Sequence, residues 1–324
     1  MTVDAPMLID ADALALRLPM LAAIDALHEG FARTAPSVVP QRLHLEVEVT
    51  WGEAAECERE RADLLVMPAA ADGWAGTKLV GVVPGNPSRG LPQVTASYVL
   101  LGPPGLVPRA VIDGAALTEL RTAAVSGLAT RLCARPESRR VAVVGAGVQA
   151  RAHVLAMAAV LTEADVTVIA RDATAVRGLV DHVRAAGCEV PIVAGDRDAL
   201  RSADVVCVAT SSATPVVTLA DLPEGVHINA VGAHRPDRRE LTADVVAAAR
   251  VLVGTRASAL SEKGDLLLAE LEGAWSPDAI VAELSEATSG AVTVRTDPAQ
   301  RTLFASVGHA LEDLIVARAV VEAD

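Results

Sequence analysis

Hydrophobic and polar positions along the chain follow two successive patterns. Between residues 38 and 51, Arg42, His44, Glu46 and Glu48 alternate with Leu43, Leu45, Val47 and Val49. Period two over this length predicts a half-buried antiparallel strand. Shorter apolar runs predict strands at 7–9, 63–68, 76–83, 95–101 and 107–112, with a turn at Asn86-Pro87-Ser88-Arg89-Gly90-Leu91-Pro92. An Asp- and Ala-rich stretch ahead of them is expected to be helical to about Ala32, broken by Ala35-Pro36-Ser37. The first third is thus a mostly antiparallel sheet with short connections. A helix is expected from Asp113 to about Ala134, ended by Pro136.

The second pattern alternates. Strands are predicted at 141–144, 166–170, 190–194, 204–209, 226–231 and 250–253, separated by helices at 149–161, 173–186, about 197–202, 218–221 and 242–247. Strands that alternate with helices build a parallel, doubly wound sheet. Two helical segments at 260–271 and 278–286 follow, then a long amphipathic helix at 303–321. The expected class is α/β, with a second α+β domain whose sheet is mostly antiparallel. No internal repeat or low-complexity segment interrupts it.

The junction of the two patterns carries the clearest chemistry. The apolar run Val141-Ala142-Val143-Val144 stops at Gly145, and Gly145-x-Gly147-x-x-Ala150 leads into an Ala-rich helical run. Strand, glycine turn and helix are the context a dinucleotide fingerprint requires. Gly145 permits the tight turn, Gly147 lets backbone approach a diphosphate, and Ala150 lets the helix pack close to its strand. The helix N-terminus offers N–H groups and partial positive charge to phosphates. The sheet is therefore Rossmann-type. Past the next strand stand Ala170, Arg171 and Asp172. An acid there holds a ribose 2′-OH, and an arginine accommodates a 2′-phosphate. Ala170 is too small to bind, so Arg171 favours NADP(H); Asp172 keeps NAD(H) open. The run Thr210-Ser211-Ser212 after the strand at 204–209 suits a ribose or nicotinamide contact, and equally a simple turn before Pro215.

Composition narrows the partners. A chain of 324 residues suggests two domains. Aromatics make up only 2%, so the core must be Ala, Val and Leu. A formal net charge of −13 argues against nucleic acid, which needs a basic face. Cys57, Cys133, Cys188 and Cys207 lack CxxC spacing, which fits a reducing compartment and gives no zinc pattern; no metal is expected. No 18-residue apolar run is free of charges, so no membrane span is expected. The first residues lack a signal-peptide pattern, which makes the cytoplasm the expected location.

Three cations stand out in the first third. Arg42 lies on the alternating strand, Lys78 inside an apolar one, and Arg121 near the start of a helix. Singly, each fits a solvent-facing or salt-bridged residue. Together they fit an anionic substrate, since an arginine fork matches a carboxylate and a lysine adds a point charge.

These pieces come in an order that resembles the ornithine cyclodeaminase/μ-crystallin family. The matching segments are Lys78-Leu79-Val80, Asn86-Pro87, Leu91-Pro92, Asp113-Gly114 to Arg121-Thr122-Ala123-Ala124, and Gly145-Ala146-Gly147-Val148-Gln149-Ala150-Arg151-x-His153. Further on they are Val231-Gly232-Ala233-His234-Arg235-Pro236-Asp237-Arg238-Arg239-Glu240-Leu241 and Phe304-Ala305-Ser306-Val307-Gly308-His309-Ala310-Leu311-Glu312-Asp313-Leu314. The resemblance implies a homodimer. It implies a substrate-binding and dimerisation domain from residues 1–122 with 302–324, and a Rossmann domain from 123–301. It implies that Arg42, Lys78 and Arg121 hold a substrate carboxylate. It implies cofactor contacts from Gly145, Gly147, Val148, Gln149, Arg171, Asp172, Thr210, Val231, Gly232 and Ser306, with Thr95, Arg121 and Arg238 completing the set.

One departure matters. Cyclodeaminases resemble each other in an Asp directly after the Val-Gly-x triplet, as base for the amine. Here His234 stands there, followed by Arg235-Pro236-Asp237. The segment is closer to the ketimine reductase-like branch. The expected activity is NAD(P)H-dependent reduction of small 2-imino acids to L-amino acids. Cyclic ketimines such as pyrroline-2-carboxylate or piperideine-2-carboxylate come first, and linear imino acids second. Lys78, His234 and Asp237 are the candidate catalytic residues, His234 because its ordinary pKa lies near neutrality. A cyclodeaminase-type ammonia lyase with bound NAD, and a μ-crystallin-like binding protein with little turnover, remain alternatives.

Overall fold

The structure, a computed structural model, describes residues 5–33, 37–51 and 58–323. Cys57 and the expected break at Ala35-Pro36 lie outside them. The chain begins β1 (Met7–Ile9), α1 (Ala11–Arg17), α2 (Met20–Ala32), β2 (Leu43–Trp51), β3 (Glu58–Ala71), β4 (Trp74–Val82), β5 (Val94–Gly102), β6 (Val107–Asp113) and α3 (Gly114–Cys133). It continues β7 (Arg140–Val144), α4 (Val148–Val160), β8 (Asp165–Ile169), α5 (Ala173–Ala185), β9 (Ile192–Gly195), β10 (Val205–Val208), β11 (His227–Ala230), α6 (Ala243–Ala247) and β12 (Ala249–Val253). It ends α7 (Arg256–Glu262), α8 (Gly264–Leu271), β13 (Ile280–Glu283), α9 (Leu284–Thr288), β14 (Arg301–Ala305) and α10 (Ala310–Glu322). Two compact units result: Met1–Pro19 with Ala35–Arg121 and Ala310–Asp324, and Met20–Thr34 with Thr122–His309.

The first unit is a six-stranded sheet in the order β1-β6-β5-β4-β3-β2. β1 pairs with β6 in parallel, and every other pair is antiparallel. β3 and β4 form a hairpin whose two turn residues, Asp72 (φ 51°) and Gly73 (φ 77°), are both left-handed, as the two-residue turn that matches strand twist demands. One face of the sheet buries Ile9, Met67, Lys78, Val80, Tyr98, Leu100 and Ile112, and α10 packs on β3 to β6. The other face is uncovered: Leu8, Leu43, Leu45, Val47 and Leu79 are all exposed, Leu43 by 58%. β2 is thus not half-buried as its alternation suggests. It is the edge strand, its polar side faces solvent, and its apolar side meets no cover among the described residues.

The second unit is an eight-stranded, all-parallel sheet in the order β13-β12-β14-β11-β10-β7-β8-β9. Strands covered on both faces read as unbroken apolar runs. Val141 and Val143 pack with Ala150, Val154 and Met157 on one side, and Val206, Ile228 and Leu303 with Val245 and Leu266 on the other. The chain winds outward from β7 through β8 to β9, then returns to β10 on the other side of β7. The switch point between β7 and β10 is where such sheets take ligands, beyond the carboxyl ends of the strands.

Three expected elements change. The N-terminal helix is two, because Pro19 cannot continue α1 and Leu18 before it leaves the helical region (φ −132°, ψ 87°). α2 then belongs with the second unit, burying Ala23, Ile24, Leu27 and Phe31 and packing on α4 and α9. The segment 278–286 is a strand followed by a short helix rather than one helix. The helix expected from 303 starts only at Ala310; residues 301–305 form β14, between β12 and β11. Leu303-Phe304-Ala305 is a continuous apolar run, which periodicity alone does not separate from a buried helix. Residues 302–309 therefore fall in the parallel-sheet unit. Among the described residues no helix is long and apolar enough to cross a membrane, and no cluster of His, Cys, Asp or Glu is suited to a metal.

Candidate active site

The glycine turn after β7 has the conformation its sequence demands. Gly145 sits at φ +119°, and a Cβ there would collide with the Ala209 carbonyl oxygen. Gly147 is the N-cap of α4 and makes no side-chain cap; nothing lies within 4 Å of a Cβ added to it. The first N–H groups of α4 thus open onto free space, with the positive end of the helix dipole behind them. Val148 is half exposed, Ala150 is buried against the sheet, and Gln149 Oε1 is buried with no hydrogen-bond partner. Open space over a helix N-terminus fits a dinucleotide diphosphate.

The other cofactor candidates follow in sheet order. Arg171 and Asp172 come after β8, Gly145 and Gly147 after β7, Thr210 after β10, Val231 and Gly232 after β11, and Ser306 after β14. Neighbouring strands lie about 4.8 Å apart, so these strand ends form a row roughly 19 Å long. Asp172 is occupied: its Oδ1 accepts from Thr174 N (2.8 Å) as the cap of α5. Arg171 is left as the exposed side chain past β8.

The segment after β11 is a surface turn. His234 is exposed, with its Nδ1 2.9 Å from the Gly232 carbonyl oxygen. Asp237 is exposed and accepts from Arg235 Nε (3.1 Å), and that hydrogen bond holds its carboxyl below the ordinary range. It is therefore an acceptor at neutral pH rather than a proton source. Arg238 is exposed beside it.

In the first unit the cations are buried. Lys78, only 1% exposed, donates to Asp313 Oδ1 (2.8 Å) and Thr118 Oγ1 (3.0 Å). Arg121 donates from Nη1 to Glu312 (2.8 Å), with Nε 3.0 Å from Asp313. Burial pulls the Lys78 ammonium down to about 8, against the attraction of Asp313 and with help from Arg121. Two charges of each sign balance, yet Tyr98 Oη and Asp313 Oδ2 stay buried without hydrogen-bond partners. Buried polar atoms are normally satisfied, so the Tyr98 hydroxyl and the second Asp313 oxygen leave one donor and one acceptor unanswered in this cluster. The register runs Met67, Lys78, Tyr98, Ile112 across four strands. Strand alternation puts half-buried Arg42 on this same face, with His44. Thr95 is three residues from Tyr98 along β5, on the opposite, exposed face, apart from the cations.

Several polar residues prove structural. His153 is fully buried between Gln149 O (2.7 Å) and Ser126 Oγ (2.9 Å), and burial takes its imidazole down to about 4. Burial likewise raises the thiols of Cys133 and Cys207 to about 12, leaving them inert. Other residues matter more than the sequence suggests. Asp313 and Glu312 neutralise the cations, and Glu240, Lys263 and Asp265 form a buried charged cluster in the parallel-sheet unit. Their sequence signal is faint: charges set in otherwise apolar stretches, with partners as far as 235 residues away.

The sequence model described as the Ornithine cyclodeaminase/mu-crystallin family matches residues 5–323. A Delta(1)-pyrroline-2-carboxylate reductase of Bacillus cereus is 34% identical over 267 residues, 81% of this chain and 82% of that protein. The ketimine reductase mu-crystallin of Mus musculus is 35% identical over 266 residues, 82% and 81% of the two chains. The Thermococcus litoralis Delta(1)-pyrroline-2-carboxylate reductase, solved with NADH and L-proline, superposes with a TM-score of 0.87 at 31% identity, covering 98% of this chain and 97% of that one. An archaeal alanine dehydrogenase, solved as a dimer with bound NAD, reaches 0.86 at 29% identity, over 98% and 95%.

Proposed function

The chain belongs to the ornithine cyclodeaminase/mu-crystallin family, and from that premise we propose that it is an NAD(P)H-dependent reductase of small 2-imino acids. Cyclic ketimines such as Δ1-pyrroline-2-carboxylate or Δ1-piperideine-2-carboxylate come first, and the products are L-amino acids. The observation that carries the reading is similarity along both units to a reductase that holds NADH and L-proline. The nicotinamide cofactor supplies the hydride.

The protein's own residues do the rest. Gly145 makes the tight turn, Gly147 leaves the diphosphate room, and the N–H groups of α4 bind it. Thr210, Val231, Gly232 and Ser306 line the nicotinamide side. Arg171 takes the ribose side, and because Asp172 is engaged as a cap, it favours NADP(H) over NAD(H). Arg42, Lys78 and Arg121 attract the substrate carboxylate. Lys78 is also the better placed proton source for the imine nitrogen. It is water-excluded and poised near neutrality, whereas His234 is exposed and Asp237 is held ionised.

The second copy of a homodimer is the occupant we assign to the uncovered sheet face of Leu8, Leu43, Leu45, Val47 and Leu79. A contiguous apolar face of this kind marks an interface, and a structural relative is a dimer.

The test separates reductase from lyase. NADPH or NADH should be consumed with cyclic ketimines, and L-ornithine without added cofactor should release no ammonia. Ammonia release from ornithine with no consumption of either cofactor would overturn the proposal in favour of a cyclodeaminase.

A further inference from the structure

Three charged side chains in the parallel-sheet unit, Glu240, Lys263 and Asp265, are fully buried. Glu240 Oε1 accepts from Thr210 N and Oε2 from Gly232 N, both at 2.6 Å. One carboxylate therefore joins the turn after β10 to the turn after β11. A Cβ on Gly232 would collide with Thr210 O and crowd the Glu240 carboxylate, so the two turns are in direct contact. Asp265 Oδ1 accepts from Glu240 N (2.8 Å) and Leu241 N (2.9 Å). Lys263 Nζ donates to Ala230 O (3.0 Å), at the end of β11, and pairs with Asp265 Oδ2 (2.9 Å). Ala230 O also accepts from Ser306 N (3.0 Å), just past β14. The cluster thus reaches the carboxyl ends of three adjacent strands. Stability alone does not call for it, because desolvating charges costs about as much as their attraction returns.

We propose that Glu240 is a positioning residue for the dinucleotide: its ionised carboxylate sets the turns after β10 and β11 in the form that binds cofactor, and neutralising it weakens that binding. The inference rests on the reading of this unit as a nicotinamide-dinucleotide site. The carboxylate accepts two N–H groups at once only while ionised; a proton on one oxygen turns an acceptor into a donor facing a donor. The groups facing it are Lys263 and Asp265 from the junction of α7 and α8, and the neutral backbone and hydroxyl of Thr210. Burial raises the acid, Lys263 and the Thr210 hydrogen bond oppose, Asp265 adds to the rise, and the result is about 7. The sign follows: the tying form dominates above pH 7 and is lost as pH falls through 7.

NADH is the probe, because it lacks a 2′-phosphate that titrates near pH 6. Its dissociation constant for the full-length protein is measured by fluorescence from pH 6 to pH 8.5. The wild type is expected to bind several-fold more weakly at pH 6 than at pH 8. Glu240→Gln is expected to bind about tenfold more weakly at pH 8 and to lose the pH slope, and Glu240→Asp to recover part of both. A folded Glu240→Gln with wild-type affinity and slope overturns the inference, as does one with only a lowered Tm. If that variant does not fold, a flat wild-type profile overturns it by itself. A wild type that binds neither NADH nor NADPH at any pH fails the functional reading as well, and so is told apart.

Discussion

Lys78 stands in the middle of an apolar strand, and its setting decides what it can do. A lysine at ordinary pKa holds its proton too tightly to be a good acid near neutrality. Burial brings this one to about 8 while Asp313 keeps it charged. The ammonium is lost as pH rises through about 8, so kcat/KM for an imino acid should fall above that pH. Lys78→Ala should lower kcat/KM by roughly 10²- to 10⁴-fold, the usual worth of a positioned acid. Wild-type kinetics in that variant would remove Lys78 from the site. Arg171 makes a separate claim. Losing a charge-assisted phosphate contact costs about 1.5–3 kcal/mol, so Arg171→Ala should weaken NADPH about tenfold or more and NADH little. Unchanged NADPH affinity would contradict the assignment. The sequence singles out Lys78 because a charge in an apolar strand needs a reason. It does not reveal that reason, since Asp313 and Glu312 meet Lys78 and Arg121 only through the packing of α10 on the sheet.

The turn between β7 and α4 shows how two glycines one residue apart serve different ends. Gly145 is fixed by the backbone: its φ of +119° and the Ala209 carbonyl leave no place for a Cβ. Gly147 is under no such constraint (φ −83°), and a Cβ there would meet nothing. Gly145→Ala should therefore lower both Tm and cofactor affinity. Gly147→Ala should keep the wild-type Tm and weaken the cofactor at least several-fold. A Gly147→Ala protein with unchanged affinity would mean that no diphosphate lies over this helix. Both roles were legible in the sequence, because strand, glycines and helix are local. β14 was not. Its five residues run into a long helical segment, and only the gap between β12 and β11 makes them a strand. The split at Pro19 carried a local signal, a proline within the expected helix. The strand at β13 had none, because a run as short as Ile280-Val281-Ala282 fits either structure.

The whole molecule joins a parallel-sheet unit suited to a dinucleotide with a second unit that buries two cations under α10 and leaves the other sheet face bare. The alternation of β2 foretold an apolar side but not its exposure, since alternation does not say what packs on either side. A dimer closed through this face should elute at twice the 33.3 kDa of one chain. Leu45→Glu should give monomers; a monomeric wild type at micromolar concentration would contradict the interface. The family and the fold point to one reaction, and one measurement tests it most directly. Purified protein is mixed with NADPH and Δ1-pyrroline-2-carboxylate, and cofactor oxidation and L-proline are followed together. The expected result is one L-proline formed for each NADPH oxidised. No oxidation of NADPH or NADH with that ketimine, its six-membered homologue, or 2-oxo acids with ammonia would contradict the account.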